Sequence, residues 1–177
     1  NIVYVGVLGA LWGDSDERGV YKTTDGGETW DKILYFDQRT GCGDLVMDPS
    51  NPDVLYASMW EFRRKAWGFE SGGKQSALYK STDGGANWSK IHNGFPSGDL
   101  GRIAVAVAPS QPEKLYAVLE TEGNDEKGLW TSEDGGNSWS HLNNEFGLVD
   151  RPFYFSRIVI DPRDPDVVVK AGLFGSI

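Results

Sequence analysis

The chain repeats itself. TTDGGETW at 23–30, STDGGANW at 81–88 and SEDGGNSW at 132–139 share the form S/T-x-D-G-G-x-x-W. Asp25, Asp83 and Asp134 stand 58 and 51 residues apart. A second segment recurs out of phase: DPSNPDVLYAS from Asp48, APSQPEKLYAV from Ala108 and DPRDPDVVVKA from Asp161. Two interleaved motifs with matching periods confine the chain to a repeat architecture, because each copy is one supersecondary unit stacked on the next.

The flanks of both motifs read as strands. GVYKTT, ALYKST and LWTSE precede the DGG turns, and TWDKIL, NWSKIH and SWSHL follow them. Tyr, Trp, Val and Thr alternate there with polar residues, as on half-buried strands. DLVMDP, RIAVAVAP and SRIVIDP form another strand type, ended by a proline that has no N–H for the ladder. IVYVGV, VLYASM, KLYAVL and VVVKAG form the last. No segment of ten residues shows a helical period. Four antiparallel strands per unit of roughly 50 to 60 residues is the arrangement of a β-propeller blade. The predicted parsing is a three-stranded first blade over 1–36, a second over 43–93 and a third over 100–143. Residues 155–177 start a fourth blade or supply closing strands.

The DGG turns have a plain structural role. An Asp side chain in a tight turn accepts backbone N–H groups, and glycine takes positive φ without a Cβ clash. The Ser or Thr hydroxyl adds a local bond. The closing Trp packs between sheets, contributing on the order of 2 to 3 kcal/mol by buried area. Asp25, Gly26, Gly27 and Trp30, with Asp83, Gly84, Gly85, Trp88, Asp134, Gly135, Gly136 and Trp139, are therefore expected to be scaffold. Each carboxylate closes its own blade, so the three do not form a shared metal or catalytic site.

These segments resemble the Asp-box, or BNR repeat, of a β-propeller family. The first two boxes, with DPSNPDVLYA between them, are most similar to bacterial sortilin-like and sialidase-like repeat proteins. The resemblance covers nearly the whole chain. It implies an all-β Asp-box propeller segment of about three and a quarter four-stranded blades, incomplete as a single chain. It also implies an extracellular or periplasmic location, although no signal peptide stands in this sequence. The family includes both enzymes and binding modules. The arginines, tyrosine and acid–base residues of sialidases have no matching motif here.

Antiparallel alternation places the DGG turns and the proline-rich turns on one face. The opposite face carries loops of unequal length, which marks it as the working face. Its longest loop, WEFRRKAWGFESGGKQ at 60–75, sets Trp60, Phe62, Trp67 and Phe69 among Arg63, Arg64 and Lys65. VDRPFYFSR at 149–157 is similar, with Arg151, Phe153, Tyr154 and Arg157. Flat aromatics stack on sugar or peptide faces, and guanidinium groups clamp carboxylates. Trp60, Arg63, Arg64, Trp67, Arg151 and Tyr154 are accordingly the predicted ligand-binding set. The bland alternative is that the aromatics pin the loops and the arginines pair with nearby acids.

A glycosidase needs two carboxyl groups flanking the sugar bond. Asp37, Asp44, Glu61, Glu70, Asp99, Glu145 and Asp150 are available on the loop face, and the sequence selects no two of them. Asp14, Asp16 and Glu17 beside Trp12 carry oxygens, but their spacing is not that of an EF-hand loop, so no metal or cofactor is assigned. His92 and His141 occupy equivalent repeat positions, and Cys42 reads as a buried filler rather than a nucleophile.

Composition removes other classes. A net charge of −9 argues against nucleic acid, no apolar run is long enough for a membrane helix, and one cysteine excludes an internal disulfide framework. The leading functional expectation is thus a non-catalytic binding or scaffold propeller for a glycan or peptide. The alternatives are a polysaccharide-degrading, sialidase-like hydrolase and a piece of a longer protein without independent activity. At 177 residues the chain is short for a closed ring of four or more blades. The expected partners are further blades of a longer chain or a second copy. The C-terminal strand type is expected to complete the first blade, in another chain or within a strained monomer.

Overall fold

The computed structural model describes residues 1–122, 125–145, 147–149, 151–154 and 157–171. All regular structure among them is β. Strands β1 (Val3–Val7), β2 (Gly19–Thr23) and β3 (Asp31–Leu34) form the first sheet in that order. The second contains β4 (Thr40–Met47), β5 (Leu55–Lys65), β7 (Ala77–Ser81) and β8 (Ser89–Lys90), with β6 (Gly68–Ser71) paired to the far end of β5. The third contains β9 (Leu100–Ala108), β10 (Gln111–Thr121), β11 (Gly128–Ser132) and β12 (Ser140–Asn143). A final pair joins β13 (Arg157–Ile160) to β14 (Val168–Ala171). All pairings are antiparallel, and the sheets are blades of an open propeller segment.

The core lies between blades. Val20 and Leu34 of the first sheet meet Cys42, Ala57, Met59, Ala77 and Tyr79 of the second. Tyr56 and Leu78 meet Ile103, Val105, Leu115, Ala117 and Leu119 of the third. Ala104, Ala106, Ala108, Tyr116 and Val118 meet Ile158 and Ile160 of the last pair. A middle blade therefore buries both faces, which is why β5 and β9 read as nearly continuous apolar runs at their centres.

Each DGG turn is built the same way. Thr23 Oγ1, Ser81 Oγ and Ser132 Oγ each donate to the Asp two residues on, at 2.7, 2.8 and 2.8 Å. Each of these oxygens also accepts the N–H of the second glycine, Gly27, Gly85 or Gly136, at 2.9 Å. The Asp then accepts both the backbone N–H and the side chain of Thr29, Asn87 or Ser138. The paired glycines all hold positive φ, from 66° at Gly84 to 102° at Gly27. These bonds hold the Asp83 and Asp134 carboxyls down at about 2, and Asp25 lower still. The turns consequently keep their charged acceptors above about pH 4 and lose them only as pH falls towards about 2.

The turns also lock one blade to the next. The carbonyl of Gly84 accepts Tyr4 Oη at 3.0 Å and Lys22 Nζ at 2.8 Å, both from the preceding sheet. The carbonyl of Gly135 accepts Tyr56 Oη at 2.8 Å and Lys80 Nζ at 2.7 Å. Tyr and Lys are direct ladder partners in both cases, Tyr4 with Lys22 and Tyr56 with Lys80. Within a blade, Gly84 N–H donates to Asp53 and Gly135 N–H to Glu113, so the DGG and proline-rich turns share one face. In the third blade Thr131 takes the place of the lysine opposite Tyr116. There Lys114 bridges Glu133 and Asp166 instead.

Three features differ from the sequence reading. The segment after Trp60 is not an irregular loop: β5 runs on to Lys65 and folds back through β6, with Phe62 opposite Ser71 and Arg64 opposite Phe69. The closing tryptophans are not equally buried, with Trp139 at 4% exposure and Trp30 at 42%. Trp139 packs on Phe95 at 4.8 Å, whereas Trp30 lines an open apolar cleft with Val5, Val7 and Tyr21. Finally, β13 pairs with β14 and not with β1, so of the two expected ways to complete the first sheet the one within a single chain is not the arrangement of the described residues.

Two stability measurements follow from this packing. Tyr56→Phe leaves the Gly135 carbonyl to Lys80 alone and lowers unfolding stability in urea by about 1 kcal/mol. Trp139→Ala costs about 3 to 5 kcal/mol, whereas Trp30→Ala changes the same midpoint far less.

Candidate functional site

The β5–β6 hairpin organises the loop face. Its period of two turns Trp60, Phe62 and Arg64 to one side, where they line a cavity of about 170 Å³ with Phe69. Leu8, Gly9 and Leu11 from the first blade, Arg102 from β9, and Phe153 and Tyr154 complete the lining. The rings form a continuous cluster: Trp60 stacks on Phe62 at 4.4 Å, and Phe69 packs tilted against Trp60 at 5.7 Å and against Phe153 at 5.0 Å. Trp60 is buried, and its indole N–H donates to Ser71 Oγ at 3.0 Å.

Two guanidinium groups line this cavity. Arg64 lies 5.6 Å from the Phe69 ring centre and 6.0 Å from Trp12. Arg102 lies 5.1 Å from Trp60, is 8% exposed, and donates to the Phe153 carbonyl at 3.1 Å and to Gly43 at 3.5 Å. Burial pushes its pKa down from the usual arginine range. A third guanidinium, Arg18, sits beneath, fully buried and 4.4 Å from Phe62. It donates to the carbonyls of Leu8, Ala10, Gly13 and Gln38 and so fixes the loop between β1 and β2.

Of the six predicted binding residues, Trp60, Arg64 and Tyr154 meet in the cavity and the other three do not. Arg63 pairs with Asp14. Trp67 stands at the hairpin tip, 85% exposed. Arg151 is exposed on a left-handed backbone, φ 45°. Arg102, Phe62, Phe69 and Phe153 belong to the site as well. Arg102 left one signal in the sequence, a charge inside the otherwise apolar strand GRIAVAV.

The carboxylates sort by environment. Asp37 accepts the N–H groups of Arg39 and Thr40 at 2.8 Å and shapes a turn. Asp44 is held in β4 facing β9, where burial raises its pKa and Val105 N–H bonds it at 3.2 Å. Glu70 pairs with Arg39 and Lys65. Glu145 is exposed, and Asp150 lies outside the described residues. Asp14 is paired with Arg63, and Asp16 accepts Gln38 Nε2 at 2.9 Å, so both hold the β1–β2 loop.

Glu61 and Asp99 remain, at the seam between the second and third blades. Desolvation raises the pKa of Glu61, and neighbouring acids including Asp99 add to it while Arg39, 3.7 Å away, opposes. Asp99 lines two cavities, about 380 Å³ with His92, Phe95 and Lys90, and about 230 Å³ with Glu120 and Glu122. Glu120, missed in the sequence, accepts Ser71 Oγ at 2.6 Å and Arg102 N–H at 2.8 Å, tying the hairpin to β9. Both carboxylates lie close over a glycine: a Cβ at Gly73 would displace that of Glu61, and one at Gly101 that of Glu120. His141 packs tilted against Trp130 at 4.8 Å, in a scaffold position. Cys42 is fully buried, with its thiol pushed up to about 12. Folded protein at pH 8 should therefore resist iodoacetamide and become labelled on unfolding, as mass spectrometry would read.

Known proteins share this architecture. A xyloglucanase from Paenibacillus sp. is 27% identical over 176 residues, which is 92% of this chain and 17% of that protein. One from Hypocrea jecorina is 25% identical over 98% of this chain and 21% of that protein. The solved GH74 xyloglucanase of Xanthomonas campestris superposes with a TM-score of 0.70 at 22% identity, over 97% of this chain and 24% of its own. No protein-family model matches. The chain spans about one fifth of the length of the curated relatives it matches. The fold they share is the β-propeller. The expectation of a non-catalytic binding or scaffold module is corrected here, because these relatives carry the names of hydrolases.

Proposed function

We propose that the chain is a propeller segment of a secreted glycoside hydrolase that cleaves a xyloglucan-class polysaccharide. The observation that carries this reading is the match of nearly the whole chain to curated xyloglucanases. The Asp-box identity of the DGG turns belongs to the same proposal. Further blades, from a longer chain or a second copy, cover the apolar faces at the two ends, where Trp30 and Val159 are exposed.

Within the segment, Glu61 and Asp99 are the proposed reacting pair. Hydrolysis of a glycosidic bond needs one carboxyl that stays protonated and one that stays ionised. Glu61, raised by desolvation, fits the proton donor to the leaving oxygen. Asp99, exposed and lining both seam cavities, fits the base or nucleophile. The cavity of about 380 Å³ reaches the lower range of ligand pockets, with Phe95 as an apolar platform.

Reducing-sugar release from xyloglucan tests both levels. The protein should hydrolyse the polymer, and Glu61→Gln and Asp99→Asn should each lower kcat about 100-fold or more. Activity should fall as pH rises past the raised Glu61 pKa, and that basic limb should disappear in Glu61→Gln. Full activity in both variants would remove this pair, and no hydrolysis of xyloglucan by the intact protein would remove the substrate assignment.

A further inference from the structure

One cation stands between two acids on the loop face. Arg39 ends the turn before β4, next to Thr40, the ladder partner of Glu61. Its Nη2 donates to Glu70 Oε2 at 3.0 Å. Its Nε lies 3.7 Å from Glu61 Oε1, close enough for an ion pair and too far for a hydrogen bond. That Nε is buried and has no hydrogen-bond partner. Glu70 is held on its other oxygen by Lys65. Lys65, Glu70, Arg39 and Glu61 thus form a line of alternating charge from the end of β5 to the seam.

The two acids hold Arg39 unequally. A guanidinium presents its donors as a rigid fork, so a nitrogen that moves carries the others with it. Glu70 grips the fork by a hydrogen bond, and Glu61 attracts it only through space. Closing the gap to Glu61 needs a shift of about 1 Å. A neutral carboxylic acid gives little reason for that shift, whereas a carboxylate gives a strong one. The surroundings of Glu61 make Arg39 decisive. Burial disfavours a charge on Glu61 first, then Asp37 on the same turn as Arg39, Asp99 ahead of β9, and Glu70 on β6; Arg39 opposes them. It is the one cation within 4.0 Å of Glu61 among the described residues. Thr40 across the ladder, Ser76, whose Oγ accepts the Glu61 N–H, and Gly73 under the carboxylate bring no charge.

We propose that Arg39 is the positioning residue that sets the charge state of Glu61, restrained by Glu70 while Glu61 holds its proton and turning its Nε–H onto Glu61 when the proton leaves. This deepens the proposed function and rests on Glu61 as its proton donor. In that reaction a proton moves from Glu61 to the leaving oxygen, which keeps the electron pair of the broken C–O bond. The anomeric carbon bonds to the oxygen that Asp99 activates or supplies. Glu61 is left as a carboxylate, and the unpartnered Arg39 Nε–H then has its acceptor. Arg39 acts through Glu61 alone.

Carbon-detected NMR titration of the Glu61 carboxyl tests this without substrate, and the pH profile of xyloglucan hydrolysis tests it in turnover. Arg39→Gln should raise the Glu61 midpoint by about half a pH unit or more, because the carboxylate loses its cation. Glu70→Gln should lower it, because the released guanidinium closes on Glu61. The basic limb of hydrolysis should follow, to higher pH in the first variant and to lower pH in the second. The double variant separates release of Arg39 from the field of Glu70 itself: in the Arg39→Gln background, the effect of Glu70→Gln should be largely lost. The Arg39 and Glu70 side chains are 43% and 45% exposed, so these variants are expected to fold, which circular dichroism checks. An unmoved Glu61 midpoint in either single variant, or an effect of Glu70→Gln as large without Arg39 as with it, would overturn the proposal. The expected titration shifts without hydrolysis remove the hydrolase reading alone. Hydrolysis with an unmoved Glu61 midpoint removes the role of Arg39 alone.

Discussion

At two junctions a single carbonyl ties one blade to the next. The first glycine of a DGG turn presents its oxygen backwards, where a tyrosine hydroxyl and a lysine ammonium from the previous blade both reach it. For that to work the turn must be rigid, and its rigidity comes from one carboxylate tied to a hydroxyl, an N–H and a further side chain. The acid, the glycines and the Tyr–Lys ladder pair are thus one device spread over two blades. The apolar contacts between sheets add most of the burial. They are non-directional, however, and the polar lock is what sets the relative placement of neighbouring blades.

That placement leaves the opposite face free to vary. Because each blade is pinned at its turn end, the β5–β6 hairpin can project from the other end and gather chemistry from three places. Arg18 fastens the loop of the first blade under Phe62, Glu120 fastens the hairpin to the third, and Phe153 closes the side. The face carries two regions of opposite character. The seam around Asp99 is acidic, and the aromatic cavity beyond it is cationic.

What was legible in the sequence was local. Ser81, Asp83, Gly84 and Gly85 act on each other within a few residues, so the spacing alone declares the turn. The proline-ended strands and the Tyr–Lys strands are equally short-range. The hairpin went unread because its turn, Ala66–Trp67, carries no glycine or asparagine signal, although Trp60, Phe62 and Arg64 do alternate with Glu61, Arg63 and Lys65. Trp30 and Trp139 show the limit of a motif: identical neighbours in sequence, different neighbours in space. Arg102 and Glu120 reach the site from other strands, and no spacing rule relates them to Trp60. Glu61 and Asp99 are alike in sequence as loop-face acids, and only their surroundings, one desolvated and one open, distinguish them.

The lock has a direction. Its acceptor is formed by residues of one blade alone, whereas its donors belong to the blade made earlier by the ribosome. Tyr56 and Lys80 leave the exit tunnel with nothing to grip until the turn around Gly135 has emerged behind them. In each lock the donors therefore precede their acceptor in the sequence. Where Thr131 replaces the lysine and Lys114 turns to Asp166, that handover changes chemistry, from a carbonyl shared by two donors to a surface ion pair. The second and third blades therefore present different contacts to the blade that follows each of them.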